Sequence, residues 1–68
     1  MRTVRVKKGA SYTELANPPR TRIAEYDIIT MLERGVQPIP VSDRKCYVFR
    51  LGEDLWMVDE EFVEELPD

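Results

Sequence analysis

The segment from Cys46 to Val58 is apolar on both sides of the hairpin it predicts, and a short chain has few ways to cover both. Cys46 to Leu51 and Leu55 to Val58 are rich in β-branched and aromatic residues, and Gly52-Glu53-Asp54 joins them. That is the pattern of two antiparallel strands with a tight connection. Tyr47, Phe49 and Leu51 fall on one face and Cys46 and Val48 on the other, while Leu55 and Met57 alternate with Trp56 and Val58. Such a hairpin becomes the centre of a fold. Its two faces must be closed by a helix and by a further segment of the chain, or by a second molecule.

Length sets the rest of the problem. Sixty-eight residues make one domain, residues 1–68, and a domain of that size buries only roughly 60% of the surface its unfolded chain exposes. A single cysteine excludes an internal disulfide, and the absence of histidine leaves no ordinary zinc ligand set. The expected metal and cofactor content is none. With 43% apolar and 34% charged residues the chain lies in the folded globular range. A partner or a homodimer is then the remaining way to secure a small core.

The other elements follow from local pattern. Arg2 to Lys7 alternates, with Val4 and Val6 on one face and Thr3, Arg5 and Lys7 on the other, which predicts a half-buried strand. Lys8 to Arg22 contains Gly9, Asn17, Pro18 and Pro19 and predicts irregular chain, with one helical turn over 12–16 capped by Ser11 and Glu14. From Ala24 to Arg34, the helical spacing of Ala24, Ile28, Met31 and Leu32 and the terminal Gly35 predict the main helix. Pro38 and Pro40 confine any strand in Val36 to Val41 to a sheet edge, and Ser42 to Arg44 reads as a turn. Asp59 reads as the cap of a short C-terminal helix, Glu60 to Leu66. The expected fold class is α+β: a small antiparallel sheet of three to four strands, the main helix packed on one face, and a short C-terminal helix.

Charge is sorted along the chain. Residues 1–23 hold six basic groups and one acid, residues 51–68 hold eight acids and no base, and the net charge is −3. The basic groups Arg2, Arg5, Lys7, Lys8, Arg20 and Arg22, together with Trp56 as an aromatic anchor, form the candidate partner-binding set. These bases either meet an external acid or phosphate or pair with the acidic C-terminal segment inside the fold, and the second is favoured because the ends of so small a domain can meet.

Catalytic chemistry has little to draw on. Without histidine, nucleophile-base pairs of the Ser-His or Cys-His kind are absent. Cys46 inside an apolar run reads as a buried, inert thiol and fits a reducing cytoplasm, the expected location. Glu53 and Asp54 sit at a hairpin tip, where both are solvated, and Glu60/Glu64 and Glu61/Glu65 lack the loop oxygens of a calcium site. No apolar run is long enough to span a bilayer, so no membrane association is expected.

Two family resemblances are short or loose. MRTVRVKK resembles the DNA-reading strand that opens ribbon-helix-helix repressors, but Asn17-Pro18-Pro19 stands where the first helix of that family belongs. The order VKK, RIAEYDIITMLERG, a strand and GED is similar to the N-terminal domain of polyhydroxyalkanoate-accumulation regulators, which implies DNA binding. ASYTELANPPRTR replaces the Asn-Arg-Arg run of that family. Neither likeness assigns the chain to a family. The function expected from the residues is that of a non-enzymatic protein-interaction module, a small regulator docking on a larger protein machine such as one of transcription. The alternative is a nucleic-acid-binding regulator using the basic segment.

Overall fold

The computed structural model describes residues 1–67. In chain order the strands are β1 (Arg2–Val6), β2 (Ser11–Glu14), β3 (Thr21–Ile23), β4 (Ile28–Leu32), β5 (Ile39–Val41), β6 (Arg44–Leu51), β7 (Asp54–Asp59) and β8 (Val63–Glu65). The one helical element among the described residues is a 3-10 turn, Glu60–Phe62. All pairings are antiparallel: one sheet has the order β4-β1-β8, the other β3-β2-β7-β6-β5. The fold is therefore nearly all β, which corrects the α+β expectation with its main helix.

The correction has a physical reason at each place. Over 24–34 the helical spacing competes with the β-branched run Ile28-Ile29-Thr30, which loses rotamer freedom in a helix and fits a pleated surface. Paired with β1 in the register Val4↔Thr30 and Val6↔Ile28, the same residues alternate cleanly, with Leu32 buried and Ile29 and Met31 outward. Asp27 accepts a hydrogen bond from the Lys8 backbone N–H at 2.8 Å, which ties the start of this segment to the turn after β1. The seven residues from Glu60 to Leu66 are too few to sustain a helix against the cost of nucleation. They take a 3-10 turn and then add β8 to the free side of β1, with Val6↔Val63 and Arg5↔Glu64 opposite each other. Asp59 does not cap that turn through its side chain; its carboxylate instead receives Cys46 Sγ at 3.2 Å and Arg44 Nη1 at 3.4 Å. The stretch 8–22 is not irregular throughout, nor does it hold a helical turn over 12–16: β2 and β3 pair there, and the Thr13 and Thr21 hydroxyls meet at 3.1 Å.

The hairpin is present as β6 and β7, with Phe49↔Trp56 and Tyr47↔Val58 in register. Its connection is tighter than the sequence implies, since Leu51 pairs with Asp54 and only Gly52 and Glu53 form the tip. β5 lies at the sheet edge with Pro40 in it, as its prolines require. The two sheets join at a corner where Ala24 exchanges backbone hydrogen bonds with the other strand, its N–H donating to the Ala10 carbonyl and its carbonyl accepting from Gly9, each at 2.8 Å. Between the sheets lies the core, Val4, Val6 and Leu32 against Tyr12, Phe49, Trp56 and Val58. The three-stranded sheet thus covers the aromatic face of the hairpin. On the other face Cys46 is buried beside Asp59, and Val48 and Met57 are half-buried.

Candidate functional site

Each candidate basic residue has a defined place. Arg5 Nη2 lies 3.0 Å from Glu64 Oε2 on the neighbouring strand, and its Nε lies 3.9 Å from Asp27. Arg2 donates to the Val36 carbonyl at 2.6 Å and approaches Glu65 at 3.8 Å. The pairing β1–β8 brings these about: it sets the basic start of the chain directly beside its acidic end. Arg20 makes a two-pronged contact with Glu14, Nε at 2.6 Å and Nη2 at 3.0 Å. Glu14 is only 7% exposed, so the pair satisfies a buried carboxylate. Lys7 and Lys8 are exposed in the turn after β1, apart from Arg20 and Arg22 on the other sheet. The six bases do not gather on one face.

Two carboxylates are held below their ordinary pKa of 4.5. The Arg20 hydrogen bonds lower Glu14, and the Arg5 hydrogen bond lowers Glu64. The Cys46 thiol is pushed up, first by burial and then by its hydrogen bond to Asp59, which keeps it protonated and unreactive.

Trp56 is 3% exposed and belongs to the core. Tyr12 meets it edge-on at 5.0 Å between ring centroids, and the guanidinium groups of Arg22 and Arg20 lie 5.3 Å and 6.0 Å from its ring. A partner reaches this indole only after both arginines are displaced. Arg22 also borders the widest of the surface clefts described.

That cleft, of about 820 Å³, lies at the corner where the sheets join. Tyr12, Ile28 and Leu51 line it together with the exposed Ile23, Tyr26 and Ile29 and the charged Arg22, Glu25 and Asp27. Tyr26 is 72% exposed, Ile23 58% and Ile29 57%, and Met31 follows Ile29 on the outward face of β4. The cleft mixes these apolar side chains with the charged Arg22, Glu25 and Asp27 in about equal measure, which makes it a candidate recognition surface. Sequence reasoning missed it because Tyr26 and Ile29 fall on the solvent side of the helix predicted there. The run Ile28-Ile29-Thr30 was the signal: read as a strand, it turns Ile29 and Met31 outward together.

Among the described residues no three His, Cys, Asp or Glu side chains converge as metal ligands, and no helix is long and apolar enough to cross a membrane. Comparison of the chain with protein families, curated proteins and solved structures finds no match.

Proposed function

We propose that the protein is a non-enzymatic protein-interaction module, a small regulator that acts by docking on another protein. The observation carrying this reading is the cleft with Tyr26, Ile23 and Ile29 exposed around it. Burying apolar side chains of that size is favourable at roughly 25 cal/mol per Å² removed from water, and a protein surface is the partner that removes it. The strongest basic groups favour the same reading, because Arg2, Arg5 and Arg20 are already engaged by backbone or carboxylate and have less to offer a phosphate.

The test is capture from source-cell lysate with tagged protein, with and without nuclease, using wild type and an Ile29→Ser variant. We expect specific proteins to be retained after nuclease and depleted with the variant. Capture that disappears with nuclease and ignores Ile29 overturns the reading and makes nucleic acid the ligand.

A further inference from the structure

We propose that the cleft face is a two-fold interface between two copies of this chain, with Tyr26 of each copy seated in the cleft of the other. The inference rests on the interaction-module reading and names the occupant of its site.

A two-fold interface must be complementary to itself, so one patch has to supply both knob and hole and both signs of charge. This patch does. Tyr26 projects from the border at 72% exposure, and the cleft beside it is about 820 Å³, ample for a phenol ring. Arg22 and Glu25 both border the cleft, carry opposite charges and form no ion pair among the described residues, although the Arg22 guanidinium also lies 5.3 Å from the Trp56 ring of its own chain. Two-fold docking lets Arg22 of one copy meet Glu25 of the other, twice. The neighbouring strand Ile28–Leu32 is uncharged, so the approach of a second copy sets no like charges against each other along it. Asp27 stays within its own chain, bonded to the Lys8 N–H.

Sedimentation equilibrium of the purified full chain, from micromolar to millimolar concentration, tests this. Wild type is expected to approach twice the 8.0 kDa chain mass. Tyr26→Ala should raise the dimer dissociation constant about thirtyfold or more, the loss typical of a central aromatic anchor. Glu25→Arg should weaken the dimer, and adding Arg22→Glu to it should restore association. Circular dichroism establishes that each variant is folded; if Tyr26→Ala is not, Ile29→Ser gives the same reading. A chain that stays monomeric at millimolar concentration overturns the proposal, as does a dimer indifferent to Tyr26 and Ile29, or a charge-swapped double variant no tighter than Glu25→Arg alone. A monomer whose lysate capture still depends on Ile29 discards the second copy as occupant and leaves the interaction-module reading standing.

Discussion

At the scale of residues, the most concentrated chemistry surrounds Trp56. Its ring is enclosed by Tyr12, Phe49 opposite in register, and two guanidinium groups, one of which is fixed by the buried carboxylate of Glu14. Two arginines and a glutamate thus pack polar groups around the edge of the core at this ring. Trp56→Ala is therefore expected to cost about 3–5 kcal/mol, the range for deleting a buried aromatic. Total stability for a domain of 68 residues is of order 3–10 kcal/mol, so the variant should lose a large share of it, read as a much lower urea midpoint by circular dichroism. A variant that keeps nearly the wild-type urea midpoint would remove Trp56 from the core and return it to the candidate binding residues.

At the scale of elements, the two tight turns of the β5–β6–β7 part of the five-stranded sheet differ in chemistry. In β6–β7 the tip begins with Gly52 at φ +62°; in β5–β6 it begins with Ser42 at φ +56°. Both sit in the left-handed region, where a Cβ costs roughly 1–2 kcal/mol and glycine avoids the penalty. A Cβ built on Gly52 meets nothing within 4 Å, so the effect of Gly52→Ala comes from backbone conformation and not from crowding. We expect Gly52→Ala to lose about 1 kcal/mol and Ser42→Gly to gain a few tenths to 1 kcal/mol, both read from urea midpoints at constant m-value. Equal and opposite signs identify turn strain as the cause; two losses would mean that the Ser42 side chain contributes something its φ does not reveal.

At the scale of the whole molecule, topology neutralises part of the charge sorted along the chain, setting Arg2 and Arg5 beside Glu65 and Glu64. β1 lies between β4 and β8, so the basic N-terminal residues and the acidic C-terminal ones become cross-strand neighbours. The long-range field is accordingly weaker than the sequence polarity implies. These pairs also set the response to acid. The folded-state pKa values of Glu14 and Glu64 lie below 4.5. Their contribution to stability is full above the ordinary carboxylate value and is lost as pH falls through the depressed folded values. Urea midpoints should be flat from pH 7 to about 5 and decline below about 4.5. Glu14→Gln should be less stable at pH 7 yet lose less between pH 5 and pH 3, because its amide does not titrate. An acid limb as steep as that of wild type would assign the proton uptake to other carboxylates.

The sequence by itself determined the pieces whose pattern is local and unopposed. These are the alternating strand at Arg2–Val6, the hairpin built on Tyr47, Phe49, Trp56 and Val58, and the edge position of Ile39–Val41. Tertiary structure decided the rest, because the deciding term was nonlocal. Ala24 to Arg34 has a helical spacing that is satisfied only if an apolar surface waits for that face. What the fold offers instead is the open side of β1, whose backbone groups need partners and whose Val4 and Val6 need Ile28, Thr30 and Leu32 beside them. The same open strand draws Val63–Glu65 to its other side, where too short a helix is the alternative. The candidate site follows from that outcome: Tyr26 and Ile29 come to border a cleft only because the chain bends through Ala24 from one sheet into the other, a consequence of strand pairing that no periodicity in residues 21–32 expresses.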